Sequence, residues 1–314
     1  MPCTDAVQRC RVAVSVPYEE ESEVARIALV TYDPGEEPGA DRDLPVLRGA
    51  LEDAGAVAEI VHWDDPAVDW ARFDLALIRS TWDYSRRVAE FVGWAERCAG
   101  LTRLMNPAPV VRWNTDKRYL GDLADAGVPV VPTRYLAPGD PVDLPGEHEF
   151  VIKPTAGAGA RYAARYTPKE RERALGQLAR MHAEGLTAMV QPYVTDIDSR
   201  GERALQFFGG RLLHASRKGA VLEPGTPYDG DKTPHPRLEV WEPTAAELDV
   251  AERALAAVPG GADSVLYARV DLVDGADGEP WLMELELVEP NLFLWLHPGS
   301  LPVVVDRVIE AAAP

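Results

Sequence analysis

Cysteine is scarce. The 314 residues hold three, Cys3, Cys10 and Cys98, an odd number without metal-ligand spacing, so neither a disulfide framework nor a zinc site is expected and a cytoplasmic location suits the chain. Long apolar runs are also missing: no stretch approaches the roughly 18 residues a membrane span needs, and no basic flank leads into an apolar segment near the N-terminus. Positive charge is the third deficit, with 32 Lys and Arg against 51 Asp and Glu, a formal charge of −19. That field repels nucleic-acid backbones and anionic membranes, so neither is expected as a partner, while a few converging Lys and Arg around a small anion remain allowed. What is present is globular in type: 46% hydrophobic and 26% charged residues exclude collagen-like, coiled-coil and wholly disordered chains. At roughly 150 residues per domain, the length suits about two domains.

Residues 1–25 carry an acidic cluster (Glu19, Glu20, Glu21, Glu23) before any core element and read as a disordered extension. Residues 26–31 (RIALVT) then read as a buried strand, 44–54 as a helix closed by Gly55, and 57–63 and 73–78 as further strands. The last of these runs into Arg79-Ser80-Thr81-Trp82-Asp83-Tyr84, after which Ser85 is expected to cap a helix bearing Val88, Phe91, Ala95 and Cys98 on one face. Such a pattern predicts a small α/β layer, with ligands collecting beyond the carboxyl ends of its strands, where 79–84 sits. Asn106-Pro107-Ala108-Pro109 marks a domain boundary. Asn114 or Thr115 is expected to cap a helix carrying Lys117, and Thr167 and Thr244 each open a capping box with the glutamate three residues on. Strands are expected at 149–153, 187–191, 202–208 and 211–216, and a strand pair at 265–273 and 280–288. Residues 217–237 form a connection long enough to be a lid.

The strongest chemical signal is the pair of strands around Arg269, Asp271, Glu284 and Glu286. Side chains alternate along a strand, so Arg269 and Asp271 share one face, as do Glu284 and Glu286. Register decides whether the two faces coincide. With Asp271 opposite Glu284, Arg269 lies opposite Glu286; a one-residue slip separates them. Three carboxylates gathered on a half-buried face repel unless cations intervene, and hard oxygen donors favour Mg²⁺ or Mn²⁺; the plainer reading is a solvated acidic hairpin. Lys153, at the end of an apolar strand, precedes a loop containing Gly157 and Gly159, a setting that suits phosphate oxygens but also an ordinary turn. Gln191-Pro192-Tyr193 followed by Glu202 offers strand-edge backbone and then a carboxylate, which suits a nucleoside. Arg79 and Arg269 are candidates for binding a substrate carboxylate. Glu289 is a weaker candidate, because strand parity sets it away from Glu284 and Glu286 unless the chain bends at Pro290.

In this order, IRSTWDY (78–84), NP (106–107), WNTDK (113–117), VIKP (151–154), QPY (191–193), GER (201–203) and the 271–290 segment resemble the ATP-grasp superfamily. Similarity is greatest to glutathione synthetase-like ligases and, among these, to the O-ureidoserine cyclo-ligases of cycloserine biosynthesis. The resemblance implies an α/β (α+β) ATP-grasp architecture: an N-terminal parallel α/β domain over 26–108 and two α+β subdomains, 109–190 and 191–314, clasping ATP. It implies Lys117 and Lys153 on the phosphates, Gln191, Pro192, Tyr193 and Val194 at the adenine, Glu202 at the ribose, and Asp271, Glu284 and Glu286 on two Mg²⁺, with Mn²⁺ as the alternative ion. Glu286 stands where the superfamily usually has Asn, a difference the cyclo-ligases share. Arg269 and Arg217 are the expected catalytic cations, and Arg79, Ser80, Asp83, Arg269 and Glu289 the substrate side. The implied reaction is ATP-dependent carboxylate–amine ligation of a small amino-acid-like substrate, in a chain compatible with a homo-oligomer. A kinase on the same fold, or an ATP-binding module without turnover, are the alternatives.

Overall fold

The computed structural model describes residues 24–35, 41–230 and 237–313. Most of the expected extension (1–23) and six residues of the long connection (231–236) lie outside them.

The first sheet is parallel, ordered β2-β1-β3-β4, from β1 (Arg26–Thr31), β2 (Val57–His62), β3 (Leu75–Ile78) and β4 (Arg103–Met105). The central strands β1 and β3 are apolar along almost their whole length because both faces are covered. On one side lie α1 (Asp43–Asp53) and, from the far end of the chain, Val304, Val305 and Val308. On the other, Phe91, Trp94 and Cys98 of α2 (Val88–Ala99) pack with Trp63 and Trp70. Ser85 does not cap α2: its hydroxyl donates to Trp82 O at 3.2 Å within a 3₁₀ turn, Trp82–Arg86, and the helix starts without a side-chain cap.

Two short helices follow, α3 (Ala108–Asn114) and α4 (Tyr119–Asp125). Neither Asn114 nor Thr115 caps the second. Asn114 ends α3 and clamps the last strand pair, donating to Leu285 O at 2.8 Å and accepting from Leu287 N at 2.8 Å, so Lys117 lies in the link between helices. The second sheet is antiparallel, β5-β8-β6-β7, from β5 (Arg134–Leu136), β6 (Phe150–Pro154), β7 (Ala164–Tyr166) and β8 (Ala188–Pro192). It is backed by Ala174, Leu178 and Met181 of α5 (Arg171–Ala183). The Thr167 capping box forms but opens a 3₁₀ turn, from which α5 continues.

After α6 (Ile197–Arg200), the third sheet is antiparallel, β11-β10-β9-β12-β13: β9 (Glu202–Phe208), β10 (Arg211–Lys218), β11 (Leu238–Trp241), β12 (Tyr267–Asp274) and β13 (Pro280–Glu286). One face of this sheet carries Leu205, Phe207, Ala268, Val270 and Leu272 into a core with α7 (Ala245–Ala256). Glu247, the capping-box acid of α7, also accepts from the buried Arg203 Nε at 2.8 Å, and Arg203 reaches Asp274 at 2.6 Å, which ties helix to sheet. The chain ends in α8 (Leu301–Ala312). None of the described helices is long and apolar enough to cross a membrane.

Candidate active site

The opposite face of the third sheet is polar. Asp271 pairs with Glu284 and Arg269 with Glu286, the register that places all four side chains on one face. Beyond Asp271 the pairing shifts by one residue, so a bulge at Met283 confines this alignment to the functional end of the strands. Next to β12 lies β9, with Ala204 opposite Asp271, and next to β9 lies β10, with Lys218 opposite Glu202. One face therefore displays Lys218, Glu202, Asp271, Arg269, Glu284 and Glu286. Gly201, at φ +70°, makes the approach possible: a Cβ there would sit 2.3 Å from Lys218 O.

This face forms one wall of a cavity of about 500 Å³, and the second sheet with its glycine-containing loop forms the other. Lys117, Lys153, Gly157, Gly159, Gln191, Pro192, Tyr193, Val194, Glu202, Arg269, Asp271, Glu284, Glu286 and Glu289 all line it. Lys117 Nζ donates to Gly157 O at 2.7 Å and lies 3.1 Å from Glu284; Lys153 is 3.9 Å from the other Glu284 oxygen. Lys218 bridges Asp271 at 2.6 Å and Glu202 at 3.0 Å, and Arg269 joins Asp271 at 2.9 Å to Glu286. Glu289 reaches the cavity because β13 ends at Glu286 and 287–289 bend, which cancels the parity argument.

The electrostatics follow from burial and pairing. Burial raises Glu284, but the Lys117 and Lys153 ammoniums override it and hold the carboxyl below its usual range. Asp271 is likewise held low by Arg269 and Lys218 against its burial. Glu286 has burial and the neighbouring Glu284 and Asp271 against only Arg269, and is pushed up to about 8. Burial pushes Glu289 up to about 7 against the pull of Lys117. Lys153 is lowered by burial, with Glu284 only partly offsetting it.

Four expected residues are elsewhere. Arg217 points to the α7 side of its sheet, over the Trp241 ring and paired with Glu239, because a bulge at Leu213 flips the parity of β10 and hands the cavity position to Lys218. Arg79 is 2% exposed and donates to Pro290 O at 2.8 Å, outside the cavity lining. Ser80 bonds the Thr31 hydroxyl at 2.8 Å, and Asp83 accepts from Trp63 Nε1 at 2.9 Å. In the 3₁₀ turn after β3 it is Trp82 that faces the cavity. Lys218, Trp82 and Arg161 line the site without having been singled out. For Lys218 the signal was present, since it closes β10, but the bulge that decides its face leaves no mark in the sequence.

The donor set around Asp271, Glu284 and Glu286 is all oxygen and fits a hard divalent cation, although no three His, Cys, Asp or Glu of the described residues converge on one point. The reason is visible in the pairing: each carboxylate is turned toward a lysine or arginine.

Three sheets of this order, with the second and third facing each other across a cavity of lysines and carboxylates, define an ATP-grasp protein. The fold is shared with D-alanine–D-alanine ligase from Bacillus anthracis, at TM-score 0.65 and 18% identity over 92% of this chain and 97% of that one. A family model described as the D-cycloserine synthetase DcsG N-terminal domain matches residues 27–106. The cycloserine biosynthesis protein DcsG of Streptomyces lavendulae is 43% identical over 270 residues, 81% of this chain and 88% of that protein. A crystal structure of D-cycloserine synthetase DcsG superposes at TM-score 0.79 with 37% identity, covering 92% of this chain and all of that one. The chain belongs to the D-cycloserine synthetase family of ATP-grasp ligases.

Proposed function

We propose that this ligase activates a carboxyl of a small amino-acid-like substrate as an acylphosphate and closes it onto a nitrogen of the same molecule, ring closure of the cycloserine type. The observation that carries this reading is the continuity of one cavity from an apolar slot to an ion-pair ladder. Val151, Ala163, Ile197, Leu222 and Met283, with the 191–194 backbone, suit an adenine; Glu202 suits the ribose hydroxyls. Lys117, Lys153 and the loop around Gly157 suit the phosphates. Asp271, Glu284 and Glu286 would hold Mg²⁺, two ions by the family pattern with Mn²⁺ as the alternative, and the metal when bound supplies charge neutralisation on the phosphoryl oxygens.

The side chains supply the rest. Lys117 and Lys153 already face Glu284, so phosphate oxygens would compete for the same ammoniums and leave the carboxylate free to hold a cation. Ion pairs are thus exchanged rather than charge buried alone, which avoids a cost of several kcal/mol per ion. Arg269 is oriented by Asp271 and Glu286 and would stabilise charge building on the carbonyl and phosphoryl oxygens. The substrate carboxylate oxygen attacks the γ-phosphorus, ADP leaves, and the nitrogen then displaces inorganic phosphate from the acyl carbon. No protein nucleophile is required. The glycine loop, with 219–230 packed on α5 through Arg173 to Gly225 O at 3.2 Å, shields the acylphosphate from water. Incubation with ATP, Mg²⁺ and O-ureidoserine should yield ADP, phosphate and cycloserine, with the carbamoyl group of the ureido nitrogen lost to water as carbon dioxide and ammonia; ADP release that ignores the substrate, or a stable phosphorylated product, would overturn the proposal.

A further inference from the structure

Glu289 differs from every other carboxylate in the cavity. Glu202, Asp271, Glu284 and Glu286 each have a Lys or Arg nitrogen within 4.0 Å, whereas Glu289, 8% exposed, has none among the described residues. A buried carboxylate without a cation is costly, so its position must be imposed by neighbours. Two hydrogen bonds impose it, both from the turn after β3. Arg79 donates to Pro290 O at 2.8 Å and Trp82 Nε1 donates to Glu289 O at 3.3 Å. A first-sheet loop thereby clamps the backbone of one acid, leaving that acid on the cavity wall beside Trp82.

We infer that Glu289, held through its backbone by the turn after β3, is the receptor for a protonated amine of the substrate, an ammonium group that takes no part in the ligation. The inference rests on the ligase reading and adds to it the residue that meets the amino group, which stays charged while the carboxyl is activated elsewhere. An ammonium supplies the missing cation and keeps that nitrogen from acting as nucleophile. Arg79 and Trp82 act through the Glu289–Pro290 backbone, which absorbs the conspicuous 79–84 segment without placing Arg79 on the substrate.

The test uses the full chain with ADP and Mg²⁺ and measures binding of D-cycloserine and of the same ring lacking its amino group. The wild type should prefer the amino compound by about tenfold or more, and Glu289→Gln should reduce that preference to within about twofold while ATP affinity is retained. An unchanged preference in Glu289→Gln would overturn the inference, as would a raised Mg²⁺ requirement for turnover at unchanged substrate KM, which would assign Glu289 to the metal. If the wild type shows no substrate-dependent ADP release, the ligase reading itself has failed; if it turns over and Glu289→Gln keeps its KM, only the ammonium assignment has.

Discussion

The difference between Lys218 and Arg217 is one of strand parity. The adjacent cations share a strand, yet only Lys218 reaches Glu202 and Asp271. Lys218→Met should lower kcat/KM by roughly a hundredfold or more, because two buried carboxylates lose their partner, whereas Arg217→Met should stay within about threefold, its surface pair with Glu239 being worth ~1 kcal/mol or less. Steady-state ADP release distinguishes them; equal losses would contradict the placement. Glu284→Gln keeps volume and removes charge, so the chain should stay folded while metal-dependent turnover falls about a hundredfold or more, and full activity would remove Glu284 from the site. Legibility at this scale was uneven. Asp271, Glu284 and Glu286 could be read because period-two alternation needs only the pairing register, which the structure confirms over 269–271. Arg217, Ser80 and Asp83 were misplaced because a β-bulge and a 3₁₀ turn each change which residue faces inward without changing composition.

Among elements, those with strong local signals form where the pattern puts them. Strand β9 spans Glu202–Phe208 as expected, and the Thr244 box opens α7. Elements defined by distant contacts were invisible: β5 and β7 are three residues long, and β11 pairs with β10 as the edge of its sheet. Asn114 looked like a cap because Asn favours caps, but its side chain is used across 171 residues of sequence to clamp β13. The glycine loop and the 219–230 segment meet through Tyr162 and Tyr228, ring centroids 5.8 Å apart. If they close together over nucleotide, hydrogen exchange at 156–162 and 219–230 should slow by about tenfold or more with a non-hydrolysable ATP analogue and Mg²⁺. Unchanged exchange in either segment would mean it is no lid.

At the scale of the whole molecule, the third sheet is joined to the C-terminal region through His214. Its Nε2 donates to Leu292 O at 2.7 Å, its Nδ1 bonds Ser300 Oγ at 2.8 Å, and the ring stacks on His297 with centroids 3.9 Å apart. Burial, reinforced by His297, lowers His214 from 6.5 to about 4. The folded chain thus binds this proton more weakly than the unfolded chain, so the contribution is complete above pH 6.5 and is lost as pH falls toward 4, by up to ~3 kcal/mol. Urea midpoints of His214→Gln should fall less steeply than wild type over that window; parallel curves would contradict the assignment. In the proposed reaction the assembled cavity turns a carboxyl into an acylphosphate before nitrogen attack. Substrate carrying a heavy oxygen isotope in its carboxyl tests this directly, with the released inorganic phosphate analysed by mass spectrometry. One labelled oxygen per phosphate is expected, because the carboxylate oxygen that attacks the γ-phosphorus leaves with it; unlabelled phosphate, or phosphate retained on the product, would rule the acylphosphate out.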